Sequence, residues 1–124
     1  MPKKILFIED ESALQRSVGD MLKSAGFTMI SALTGEDGLR LAFAEKPDLI
    51  LLDLILPQKD GFEVLTKIRN APETKNMPVI VLTNLEGSEE VERALSLGAN
   101  AYLVKIRYSL DEVLEKVKKA LGDN

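Results

Sequence analysis

The sequence predicts an α/β protein built on a doubly wound parallel sheet of five strands. Three observations lead there: four short, unbroken apolar runs; an amphipathic helical stretch after every strand-like segment; and short connections with no repeat or low-complexity tract. Alternation of this kind, with right-handed crossovers, gives a parallel sheet with helices on both faces. For five strands the commonest doubly wound order is 2-1-3-4-5.

Ile5 to Ile8 (ILFI) is apolar at every position, as a strand covered on both faces requires. Leu14, Val18, Met21, Leu22 and Ala25 then recur at helical spacing until Gly26 supplies a stop. Phe27 to Ala32 is more mixed and suits an edge strand. The next helix starts at Thr34, carries Leu39, Leu41, Ala42 and Phe43, and ends before Pro47. Leu49 to Leu52 (LILL) forms the third strand, and Phe62, Val64, Leu65 and Ile68 mark a helix broken off near Pro72. Val79 to Leu82 (VIVL) is followed by a helix with Val91, Ala94, Leu95 and Leu97, ending at Gly98. Ala101 to Val104 (AYLV) reads as one more strand covered on both faces, and Val113, Leu114, Val117, Ala120 and Leu121 as the last helix. Ser88 and Ser109 are N-cap candidates, and Ser109 with Glu112 makes a capping box.

With 124 residues, the chain is expected to be a single domain over 1–124. Its apolar runs are far shorter than the roughly 20 residues that span a bilayer, so no membrane insertion is expected. Met-Pro-Lys-Lys leads straight into the first strand without a secretory signal, which suits a cytoplasmic protein. The sequence contains no cysteine and no histidine. Thiolate chemistry, thiolate metal sites and an imidazole base are therefore excluded, and any catalysis falls to carboxylates, hydroxyls, lysines or a metal held by oxygen. A formal charge of −4 argues against direct nucleic-acid binding by this domain.

In an open parallel sheet, ligands bind beyond the carboxyl ends of the strands, where the winding direction switches. The first strand ends in Glu9-Asp10, the third in Asp53, the fourth in Thr83 and the fifth in Lys105. In the order 2-1-3-4-5 the switch lies between strands one and three, so Glu9, Asp10 and Asp53 crowd together. Three carboxylates in one crevice repel one another, and a hard divalent cation such as Mg²⁺ removes the conflict. Thr83 offers a hydroxyl donor and Lys105 a positive charge, both suited to an incoming phosphoryl group. Each residue alone has an ordinary reading as a cap, turn former or solvated strand end. Their joint placement on four strand ends carries the inference.

The stretches ILFIEDE (Ile5 to Glu11), PDLILLDLILPQKDG (Pro47 to Gly61), PVIVLT (Pro78 to Thr83) and GANAYLVK (Gly98 to Lys105) resemble response-regulator receiver domains of two-component systems, over essentially the whole chain. The resemblance implies the flavodoxin-like (βα)5 fold and a phosphoacceptor rather than a turnover enzyme. It implies Asp53 as the phosphorylated residue. Asp10 and Asp53 would be Mg²⁺ ligands, with Glu9 acting through water and Ile55 through its backbone carbonyl. Thr83 and Lys105 would bind the phosphate, and Thr83 and Tyr102 would form the switch. Tyr102 is otherwise an ordinary half-buried strand tyrosine. Gly61 corresponds to a turn residue of the loop. The implied phosphodonor is a histidine kinase or phosphotransfer protein, and the implied readout is a downstream protein on the face of the fourth helix, fifth strand and fifth helix.

Four positions set this chain apart within that match. Ile106 stands where the family usually has a proline, so a trans bond and a reshaped loop from Ile106 to Ser109 are expected, with consequences for the Lys105 amine. Asn84 replaces a small residue beside Thr83. Ile55 and Leu85, both apolar, occupy positions that influence phosphate loss, and slow self-dephosphorylation is expected. Three other readings compete. A Mg²⁺-dependent phosphohydrolase would need a second acid shortly after the nucleophile, where this chain has Leu54 and Ile55. A nucleotide binder would need a phosphate loop in place of the acid pair. A degenerate receiver acting as a phosphorylation-independent binding module is the closest alternative.

Overall fold

The computed structural model describes residues 2–122. Strands β1 (Lys4–Ile8), β2 (Thr28–Ala32), β3 (Leu49–Leu52), β4 (Val79–Thr83) and β5 (Ala101–Val104) alternate with helices α1 (Ser12–Ser24), α2 (Gly35–Glu45), α3 (Gly61–Asn70), α4 (Ser88–Ser96) and α5 (Leu110–Ala120). All the strand pairs are parallel, in the order β2-β1-β3-β4-β5 expected from the sequence. β1 and β3 lie side by side with Ile8 opposite Leu52, so the residues that follow them emerge at one end of the sheet.

The unbroken apolar runs are explained by two cores. Leu6, Ile8, Ile50, Leu52, Val79 and Val81 face one way, against α2, α3 and α4 residues such as Ala42, Leu65, Ile68 and Ala94. Ile5, Phe7, Leu49, Leu51, Ile80 and Leu82 face the other way, against Val18 and Leu22 of α1 and Val113 and Val117 of α5. Successive residues of a strand point to opposite faces, so a strand covered twice needs no polar position. Full burial of each such side chain contributes roughly 1.5–3 kcal/mol.

The helix ends follow local chemistry. Thr34 caps α2 by accepting a hydrogen bond from the Asp37 N–H at 3.1 Å. Ser109 and Glu112 form the expected capping box on α5. Gly26 and Gly98, which close α1 and α4, adopt φ of +98° and +107°, a region that side chains disfavour.

Three details differ from the sequence reading. The N-cap of α4 is Gly87 rather than Ser88, which is the first helical residue, and no side chain caps this helix. β5 takes the edge position that the expected order gives it, but only Leu103 is buried, so its apolar run is not covered on both faces. Phe43 and Leu95 project to solvent although each lies within an apolar helical repeat. Among the described residues no peptide bond is cis, as expected for Lys105-Ile106, and Lys105–Arg107 forms a short 3₁₀ turn. No described helix is long and apolar enough to cross a membrane.

Candidate functional site

The carboxyl ends of β1, β3, β4 and β5 converge as the topology requires. Glu9, Asp10 and Asp53 each place a carboxylate oxygen within 4.8 Å of the others. Glu9 and Asp53 are buried and Asp10 is exposed, so the cluster opens to solvent on the Asp10 side. Asp53 Oδ1 accepts a hydrogen bond from the Ile55 N–H at 3.1 Å, and Asp53 Oδ2 accepts one from Lys105 Nζ at 2.9 Å. Lys105 Nζ also lies 2.6 Å from Glu9 Oε1. That contact is an ion pair by distance but lacks hydrogen-bond angles, and Glu9 Oε1 is the one buried side-chain polar atom without a hydrogen bond among the described residues. Glu9 Oε2 accepts from the Glu11 N–H at 3.0 Å.

The electrostatics follow from three carboxylates facing one ammonium. Burial pushes the Glu9 carboxyl up to about 7, helped by the Asp53 charge and opposed by Lys105 and the Glu11 N–H. Burial works against the Lys105 ammonium, but its contacts with Glu9 and Asp53 prevail and raise its pKa. Three carboxylates within 4.8 Å of one another, sharing a single ammonium, are a donor set that suits a hard divalent cation, and these residues fit Mg²⁺.

The raised Glu9 pKa has a definite effect on stability. Between the ordinary value of 4.5 and about 7, the folded metal-free protein holds a proton that the unfolded chain releases. Stability from this group therefore falls as pH rises through that window and stays lower above it. Glu9→Gln removes the penalty, so in chelator its melting temperature should exceed the wild type's by more at about pH 8 than at about pH 5. A difference independent of pH would contradict the assignment.

Thr83 and Tyr102 sit on the neighbouring strands. Thr83 is fully buried, and the Leu85 N–H reaches its Oγ1 at 3.5 Å. The half-buried Tyr102 packs against the core beneath α4 and donates its hydroxyl to the Leu85 carbonyl at 2.8 Å. Its phenol is shifted upward by burial and by the Glu90 and Asp53 charges. Asn84 is exposed, Leu85 half-buried, and Ile55 is 53% exposed at the rim. Despite the missing proline, the Lys105 amine remains in the pocket.

The family model of the response regulator receiver domain matches residues 5–118. This chain belongs to the response regulator receiver family. It is 41% identical over 118 residues to the transcriptional regulatory protein HprR of Escherichia coli strain K12, covering 95% of this chain and 51% of HprR. The chain spans about half the length of several curated relatives that it matches. A CheY-like receiver domain protein from Methanospirillum hungatei JF-1 superposes with a TM-score of 0.92 at 30% identity, over 98% of this chain and 95% of that one. The receiver domain of the sensor histidine kinase PA1611 from Pseudomonas aeruginosa PAO1, whose structure has a magnesium ion coordinated in the active site cleft, gives 0.89 at 28% identity, over 99% and 100% of the two chains.

Two features of this receiver escaped the sequence reading. The Gln15 amide is buried against the end of β1. Its signal was present, because Gln15 stands three residues before Val18 and seven before Leu22, on the stripe that faces the core. The other is an exposed ion pair of Arg107 with Glu86 at 2.7 Å, which ties the 3₁₀ turn to the loop after β4.

Proposed function

We propose that this receiver accepts a phosphoryl group on Asp53 from a phosphohistidine of a histidine kinase or phosphotransfer protein. The observation that carries the reading is the pairing of the Asp53 carboxylate with Lys105 in a cluster that brings Glu9 and Asp10 within reach of the same ion. An oxygen of Asp53 attacks phosphorus in line, the phosphorus–nitrogen bond to the donor imidazole breaks, and the imidazole leaves with a proton. Asp10 and Asp53 would hold Mg²⁺ directly, Glu9 through a water and Ile55 through its backbone carbonyl. Bound there, the ion supplies positive charge to the phosphoryl oxygens. Lys105 turns from Glu9 and Asp53 to a phosphoryl oxygen, and the Thr83 hydroxyl donates to another.

Switching follows from the same contacts. An aspartyl phosphate adds about −1.5 to −2 of charge at neutral pH, which draws Thr83 and Lys105 toward it. Movement of Thr83 carries Leu85, whose carbonyl is held by Tyr102, so the site would act on the loop that leads into α4. The readout would be a downstream protein on the α4-β5-α5 face, where Leu95, Ile106 and Leu110 are exposed. The net charge of −4 suits a protein partner rather than nucleic acid. The apolar Ile55 side chain at the rim holds water poorly and Leu85 packs against the core, so neither positions an attacking water and the phosphate should be lost slowly.

A beryllofluoride phosphoryl mimic tests this reading. With Mg²⁺ present it should bind at Asp53 and shift the amide resonances of β4, α4 and β5. Binding that leaves α4 and β5 unmoved would contradict the switch, and no binding would contradict the site.

A further inference from the structure

We infer that Gln15 is a positioning residue for the metal-binding arm, fixing the peptide unit that joins Glu9 to Asp10. The Gln15 side chain reaches from α1 over the end of β1 and is buried. Its Nε2 lies 3.1 Å from the Glu9 carbonyl, 2.9 Å from the Phe7 carbonyl and 3.0 Å from the Ala32 carbonyl, so its two N–H donors are shared among the three. Its Oε1 accepts from the Ser31 hydroxyl at 2.9 Å, which fixes the amide's orientation. The Ala32 carbonyl also accepts from the Glu9 N–H at 2.9 Å. Glu9 is thus held at its own N–H through Ala32 and at its carbonyl through Gln15.

The Glu9 carbonyl belongs to the peptide between two of the three clustered acids, and a rotation of that peptide would swing the Asp10 side chain. Asp10 itself is exposed and lies between β1 and α1, its following peptide tied by the Glu11 N–H to Glu9 Oε2 and its preceding peptide by Gln15. Partners bonded directly to metal ligands govern affinity by roughly 10- to 100-fold, and Gln15, which acts through the peptide between two of them, belongs at the lower end of that range. The inference rests on the reading that Glu9 and Asp10 serve a Mg²⁺ site.

The test uses the whole chain and Mg²⁺ alone, titrated by calorimetry, with amide chemical shifts recorded in chelator. Gln15→Met keeps the length and packing but removes the amide. It should weaken Mg²⁺ binding about 10-fold and shift the Asp10 and Glu11 amides of the metal-free protein. Val117→Ala, in the core beneath α5, lowers stability as a control and should leave the Mg²⁺ affinity unchanged. Equal loss in both variants, or an unchanged affinity in Gln15→Met, would overturn the positioning role while leaving the site intact. No Mg²⁺ binding by the wild type would overturn the site and this role together. Should Gln15→Met not fold, Ser31→Ala, which removes only the hydroxyl that orients the amide, should weaken binding about twofold or more. An unchanged affinity in Ser31→Ala would then overturn the role.

Discussion

Replacing Gly61 with alanine is expected to destabilise the protein by about 3 kcal/mol or more and to disable Asp53 with it. A Cβ on Gly61 would collide with the Leu54 Cα and would lie 2.6 Å from the Asp53 carbonyl oxygen. Both are backbone atoms of the segment that leaves β3, so no side-chain rotation relieves the clash. Gly61 also donates its N–H to the Leu54 carbonyl at 3.1 Å, and Asp60 caps α3 through the Phe62 N–H at 2.8 Å. The start of α3 is thus pressed against the loop that presents Asp53. Urea denaturation reads the stability, and the rate of phosphorylation by a small acyl phosphate reads the site. A variant of wild-type stability and rate would show that the loop yields freely.

The second large effect is expected for Lys105→Met. Its amine is the only cation touching Asp53 and Glu9 among the described residues, and the pocket is buried on that side. Preorganised donors aimed at developing charge are worth roughly 100- to 1,000-fold in rate when one is removed. Phosphorylation of Lys105→Met should therefore fall by about 100-fold at saturating Mg²⁺. Mg²⁺ affinity should move in the opposite direction, because the variant leaves three carboxylates with no ammonium to compete for them. A rate within a few-fold of wild type would show that the amine is a structural counter-ion and not part of the transfer.

Much of this was legible in the sequence because the fold leaves little freedom. Runs such as ILFI and LILL have no polar face, and only strands covered on both sides satisfy them. Once the order is 2-1-3-4-5, Glu9, Asp10 and Asp53 must meet, and they do. The places that were not legible depend on contacts between distant segments. Ser88 has the chemistry of a cap, but the chain enters α4 one residue earlier, at Gly87. The AYLV run is apolar throughout, yet at the edge that the order gives it only Leu103 is buried, and how far the neighbouring helices cover an edge strand is not written in the run itself. The role of Gln15 is not legible because its partners, the carbonyls of Phe7, Glu9 and Ala32, lie in and just after β1 and in β2, and a sequence pattern does not record carbonyls.

The central claim, that Asp53 is a Mg²⁺-dependent phosphoacceptor, is tested most directly by intact mass. The wild type and Asp53→Asn would each be incubated with a small acyl phosphate, with and without Mg²⁺. The account predicts a single added phosphoryl group on the wild type with Mg²⁺, and none without the metal or in the variant. A phosphoryl group on Asp53→Asn equal to that on the wild type, or equal modification without Mg²⁺, would contradict it.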